Sequence, residues 1–172
     1  MQEKIVMAKL DVLPKRVEVL EVNNAESLFR INIDVLNEAF GIGRAMYAKA
    51  VYPDKKDTII SGTKPGDRFI IWMSKLYGNS SEWKNIVSDD GTKIYEVAEN
   101  TRSEDWINED SDFNVLRLVF VKDTPKSPYR FVGAFKCGNM EYCKHTYERV
   151  ASKVRIIGNP ATKIELLNDN RN

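Results

Sequence analysis

The residue types that do chemistry are scarce in this chain, and their spacing narrows what they can do. There is one histidine, His145, and there are two cysteines, Cys137 and Cys143. The spacing C-x5-C-x-H supplies only three nitrogen or sulfur ligands and matches no zinc finger or ribbon pattern. Cys143 and His145 alternate, so on a strand they would share a face and form a candidate nucleophile–base pair. No oxyanion-hole motif and no orienting acid accompanies them. The adjacent carboxylates Asp89-Asp90 and Glu109-Asp110 fall in polar turns or loops, where such groups are normally solvated. Gly41-Ile42-Gly43 lacks the further glycine and the Lys-Ser/Thr pair of a phosphate loop, and reads as a helix stop. No catalytic residue, metal or cofactor is therefore assigned.

The aromatic residues carry more information. Trp72, Tyr77, Trp83, Trp106, Tyr129 and Phe131 fall in or beside a β-rich region. Such rings are ordinary core residues, but as a group they can also line a pocket. A base stacked on one of them gains roughly 1–3 kcal/mol. The nearby cations Arg130, Lys136, Lys144 and Arg149 are of the type that holds phosphates.

Elements must position these side chains. Residues 16–22 nearly alternate apolar and polar, which predicts a strand, and residues 4–12 do so less regularly. Leu28, Ile31, Val35, Leu36, Ala39 and Phe40 recur at three- and four-residue steps, which predicts a packed helix over about 24–40. Asn23 or Asn24 can cap it, and Gly41 can end it. Residues 45–52 fit a strand or a short helix. Strands are expected at 68–76, 83–87, 92–97, 113–122, 129–136 and 142–157, with Ser88-Asp89-Asp90-Gly91 and residues 124–128 as hairpin turns. Residues 137–140 read as a further turn. Consecutive strands with short turns imply antiparallel pairing, and the strongly apolar ones need cover on both faces. The expected fold is α+β and mainly antiparallel β. It is a small closed or partly open β-barrel of about seven strands with one clear packed helix and short extra helices. Residues 1–167 form one domain, and the polar residues 168–172 form a frayed tail.

Bulk composition constrains the partners. The 172 residues are 42% hydrophobic and 30% charged, a globular composition, with 26 basic residues against 25 acidic and a net charge of +1. A uniformly basic polyanion binder is excluded. The balance is local, however: residues 113–172 carry 11 basic and 5 acidic groups, a surplus of six, and residues 1–112 a deficit of five. The densest acidic stretch is residues 104–112. No apolar run approaches the ~20 residues of a membrane span. The polar start Met1-Gln2-Glu3-Lys4 has no leader character, and few cysteines fit a reducing cytoplasm.

Three segments then combine. Residues 83–96, WKNIVSDDGTKIYE, precede residues 129–135, YRFVGAF, and residues 147–150, YERV. This pattern resembles the non-catalytic modules attached to bacterial HNH-type and other restriction endonucleases, and through them the PUA-like pseudobarrels that include SRA and EVE domains. The likeness spans about residues 69–157. It implies a module that reads nucleic acid, DNA ahead of RNA, with a modified or flipped base held in an aromatic pocket. On that implication Trp72, Trp83, Tyr129 or Phe131 would stack on the base, and Asn85, Ser88 or Asp89 would read its edge. Arg130, Lys136, Lys144, Arg149, Lys153 and Arg155 would hold phosphates. No nuclease motif accompanies the module, so cleavage would belong to a partner nuclease or defence protein. The alternative is a protein-interaction or inhibitory accessory protein of a mobile element or defence system, using the acidic loop 104–112. A small enzyme built on Cys143 and His145 is a third reading.

Overall fold

Val115 to Val121 are buried without a break, so the strand that contains them has to be covered on both sides. A computed structural model describes residues 16–43, 50–51, 59–61, 69–78, 83–98, 115–141 and 144–167, and shows how this is done. Among the described residues there are twelve strands. They are β1 (Val19–Glu21), β2 (Leu28–Phe29), β3 (Ala50–Val51), β4 (Ile59–Ser61), β5 (Phe69–Lys75), β6 (Trp83–Val87), β7 (Lys93–Ala98), β8 (Leu116–Lys122), β9 (Tyr129–Glu141), β10 (Lys144–Ala151), β11 (Lys153–Ile157) and β12 (Lys163–Leu167).

Two sheets result. The larger runs β3-β5-β8-β9-β10-β7-β6, with β2 also on β9; the smaller runs β1-β11-β12-β4. Pairing is antiparallel except for β5 with β8 and β12 with β4. Alternation along the strands sends side chains to two separate cores. Phe69, Ile71 and Met73 of β5 and Leu116, Leu118 and Phe120 of β8 point one way, into a core shared with the smaller sheet (Leu20, Val154, Ile156, Ile164). Trp72 of β5 and Val119 and Val121 of β8 point the other way, and meet Val132, Phe135 and Cys137 of β9, Tyr147 of β10 and Ile94 of β7. The larger sheet encloses this second core by curling over itself.

The curl comes from β9. This 13-residue strand slips register against β8 between Val119 and Phe120, and against β10 at Thr146/Tyr147 and Arg149/Ala151. Such bulges bend and twist a strand. The ends of the curl stay unpaired: β5 and β6 share no ladder among the described residues, although Asn85 Nδ2 of β6 donates to Ser74 Oγ of β5 at 2.7 Å. The structure is therefore partly open and mainly antiparallel, and it is not a closed barrel.

The predicted helix is shorter than its pattern. Asn24 Oδ1 accepts from Glu26 N at 2.9 Å, but what it caps is the single 3-10 turn Ala25–Ser27. Leu28 and Phe29 are extended and pair with Arg130 and Tyr129 of β9, because Phe29 buries its ring edge-on to Phe120 at 5.7 Å. Tertiary pairing overrides the helical period there. Helix α1 begins at Asn32–Asp34 and continues as a wider π turn over Val35–Ala39, packing Val35, Leu36, Ala39 and Phe40 into the first core. Gly41, at φ +61°, ends it as expected. Residues 137–140, expected as a turn, are the continuation of β9. Residues 4–12, 104–112 and 168–172 lie outside the described residues.

Candidate functional site

The inner face of the curl holds polar groups as well as apolar ones. Register sets Asn85 of β6 opposite Glu96 of β7, and Glu96 opposite His145 of β10. One step along the same face lie Val87, Ile94 and Tyr147. Across the interior, the Trp72 ring meets the Tyr147 ring edge-on at 5.3 Å. The Arg117 guanidinium of β8 sits 4.5 Å from the Tyr147 ring centre and 5.4 Å from that of Trp72. Burial is deep: Arg117 is 5% exposed, His145 4% and Tyr147 1%.

Hydrogen bonding inside this face is incomplete. The Tyr147 hydroxyl donates to Glu96 Oε1 over a long 3.4 Å, and lies 3.5 Å from His145 Nδ1. His145 Nδ1 is also 3.4 Å from Glu96 Oε1. Burial, more than any charge, raises the Tyr147 pKa, so the phenol stays a donor at neutral pH. Asn85 donates one amide N–H to Ser74, and its Oδ1 is buried with no partner among the described residues; the same holds for Arg117 Nε. Buried polar atoms without partners are uncommon in folded chains and call for an explanation. An acceptor at Asn85, a carboxylate at Glu96, a donor at Arg117 and two aromatic rings make an arrangement able to recognise a planar heteroaromatic group. The described residues contain no cluster able to hold a metal ion. Cys143 lies outside the described residues, and His145 faces Glu96 and Tyr147.

The other residues singled out from the sequence divide. Trp83 pairs with Ala98 on the ladder, two positions before Asn85 on β6. Ser88 builds the β6–β7 turn: its hydroxyl donates to Asp90 Oδ1 at 2.8 Å and accepts from Lys93 N at 3.0 Å. Asp89 is exposed in the same turn. Tyr129 and Phe131 lie in the first core, on the far side of the sheet from Trp72, with Phe131 5.3 Å from Phe120. Arg130 is clamped by Asp123 through Nε at 2.7 Å and Nη2 at 3.0 Å. Lys136 and Lys144 sit on neighbouring strands β9 and β10, and Lys144 Nζ lies over the Tyr95 ring at 4.6 Å. Arg149 reaches the β6–β7 turn, where Nη1 donates to Gly91 O at 3.3 Å. Lys153 and Arg155 belong to the smaller sheet, where Arg155 pairs with Glu165 at 3.4 Å. The structure thus brings Trp72 and Asn85 together and places Lys136, Lys144 and Arg149 on or beside the same curl.

Sequence reasoning did not single out Glu96, Arg117 or Tyr147 for this face. A signal existed for Arg117, the one charge inside the apolar run 115–121. Glu96 and Tyr147 become neighbours only through the register.

This fold has a counterpart among known families. Residues 21–156 match the SET and RING associated domain, SRA, and the chain belongs to that family. Among solved structures it is similar to the 5-hydroxymethylcytosine-specific restriction enzyme AbaSI, with 26% identity and a TM-score of 0.54 over 74% of this chain. The match covers 39% of that enzyme's length. No curated protein matches the chain. No helix among the described residues is long and apolar enough to cross a membrane.

Proposed function

We propose that this chain is a non-catalytic DNA-binding module that reads a modified base, turned out of the duplex into the curl of the larger sheet. The observation that carries the reading is the buried, unpartnered acceptor Asn85 Oδ1 beside the Glu96 carboxylate, next to the Trp72 and Tyr147 rings. Two acceptors side by side suit an exocyclic amine, as on cytosine or adenine. Membership of the SRA family and the likeness to an enzyme specific for 5-hydroxymethylcytosine favour a cytosine modified at C5. Trp72 offers a stacking face, Asn85 and Glu96 read the amine, and Lys136, Lys144 and Arg149 meet phosphates. Cleavage is the task of a nuclease outside this module, within a restriction or defence system.

The test is fluorescence anisotropy with three labelled duplexes that differ only in one central base: cytosine, 5-methylcytosine or 5-hydroxymethylcytosine. Tighter binding to a modified duplex, with 2-aminopurine fluorescence beside the target rising as the base leaves the stack, is expected. Equal affinities for all three, or no binding at low salt, refute the proposal. Phosphate contacts also require the affinity to fall as salt rises.

A further inference from the structure

Arg117 is costly where it stands. It is 5% exposed, and none of the ion pairs among the described residues includes it. Its guanidinium rests on the rings of Tyr147 and Trp72, and its Nε is buried without a hydrogen-bond partner. Its neighbours on the same face of β8 and β9, Val119, Val121, Val132 and Phe135, are apolar. An apolar side chain of similar length would fill this space without the desolvation of a charge.

Arginine can only donate. The missing partner is therefore an acceptor, and an amine or a methyl group cannot serve. In the wall away from Arg117, Asn85 Oδ1 and the Glu96 carboxylate accept, and one Asn85 N–H is taken by Ser74. The two walls are linked through Tyr147, whose hydroxyl lies 3.4 Å from Glu96 and whose ring lies under the guanidinium. A ligand that satisfies both walls carries an amine and an oxygen on one planar ring.

Resting on the base-reading role proposed above, we infer that Arg117 is a specificity-determining residue that donates a hydrogen bond to an oxygen of the captured base. That oxygen is either the ring carbonyl or the hydroxyl of a C5 substituent, and the two sources are separable.

The experiment uses the full chain, Arg117→Met and Arg117→Lys, each checked for folding by circular dichroism, against the same three duplexes. Methionine keeps length and apolar contact but removes every donor. Lysine keeps the charge but loses the guanidinium fork. The expected result in Arg117→Met is a loss of about 10- to 100-fold in affinity for the hydroxymethyl duplex, the scale of one good base contact. Arg117→Lys, which still donates, should fall between it and the wild type. A loss confined to the hydroxymethyl duplex assigns the oxygen to the substituent; an equal loss on all three duplexes assigns it to the ring carbonyl, which they share. A folded Arg117→Met with wild-type affinity for the hydroxymethyl duplex overturns the inference. If Arg117→Met does not fold, Arg117→Leu takes its place under the same criterion. Wild-type chain that cannot distinguish the duplexes removes the base-reading role and this inference with it. Wild-type discrimination together with unchanged affinity in the donor-free variant removes this inference alone.

Discussion

Gly133 is the position where the curl of the sheet meets its tightest steric limit. Its φ is +128°, a region closed to ordinary side chains. A Cβ built there would lie 2.5 Å from Arg149 Cδ and 2.9 Å from the Ala151 carbonyl oxygen. The first contact is with a side chain that can move. The second is with backbone of β10, which ends there at the β9–β10 slip and has little freedom to move. Gly133→Ala should therefore cost about 1–3 kcal/mol in backbone strain. Overpacking against Arg149 and Ala151 should add about 1–3 kcal/mol. A loss near 3 kcal/mol lowers the melting temperature of a domain this size by about 6–12 °C.

Urea unfolding followed by circular dichroism measures this directly. The double variant Gly133→Ala/Arg149→Ala separates the two contacts. Removing the arginine relieves only its own clash, so the double variant should be more stable than the two single losses predict, by about 1 kcal/mol. The strain at φ +128° and the contact with Ala151 would remain. A Gly133→Ala chain within about 0.5 kcal/mol of wild type, or strict additivity with Arg149→Ala, would refute the reasoning.

Three other outcomes are expected. Asn85→Ala and Glu96→Gln should each reduce the preference for a central 5-methylcytosine over a central thymine, which lacks the amine, by about 10-fold, the low end for a specific base contact; anisotropy ratios equal to wild type would count against the assigned edge. Acid should loosen two turns. Hydrogen bonds from Thr92 and Ser88 hold the Asp90 pKa down at about 2, and a hydrogen bond from Arg130 lowers that of Asp123. Both carboxylates are more acidic folded than unfolded, so their contribution is complete above the unfolded value of 3.8 and is lost as pH falls below it, for Asp90 toward about 2. Melting temperatures between pH 5 and pH 2.5 should fall less steeply in Asp90→Asn than in wild type, and identical slopes would contradict the assignment. Burial raises the Cys137 pKa, so its thiol should resist a disulfide reagent at neutral pH in folded Cys143→Ser protein and react on unfolding; labelling of the folded protein at the rate of a free thiol would show the site to be open.

The strands were legible where their signal is local. The hairpin Trp83–Val87 to Lys93–Ala98 follows from alternating residues on either side of Ser88-Asp89-Asp90-Gly91. Phe69–Lys75 and Leu116–Lys122 follow from unbroken apolar runs. What could not be read is which strands meet. β5 and β8 are parallel neighbours although the β6–β7 hairpin separates them in the chain and lies at the far end of the sheet. That crossover sends Trp72 to one face, and Tyr129 and Phe131 to the other. Ring type alone gave no way to divide those three. Leu28 and Phe29 illustrate the same limit, since their helical spacing is real but a strand 100 residues later satisfies their backbone. Asn85 was visible as a polar residue near tryptophans. Its meaning depends on Glu96, His145 and Ser74, which the register and the curl supply.

The near-neutral charge of the chain acquires a physical reading from this geometry. With 26 basic and 25 acidic residues, general attraction to a polyanion is weak. Among the described residues, some cations of the larger sheet are already engaged: Arg130 with Asp123 and Arg149 with the Gly91 carbonyl. A protein so equipped gains little from phosphates and must draw selectivity from buried groups. Those groups are present on the inner face, where Asn85 Oδ1 and Arg117 Nε are buried with unmet hydrogen-bonding capacity. A partner that satisfies them recovers a desolvation cost already incurred in folding, whereas one of the wrong pattern leaves them unpaired. Selectivity of this kind rests on the mismatch penalty more than on the strength of any one bond. On the proposed reading, affinity for plain DNA should therefore be low, and the margin for a modified base should persist as salt rises.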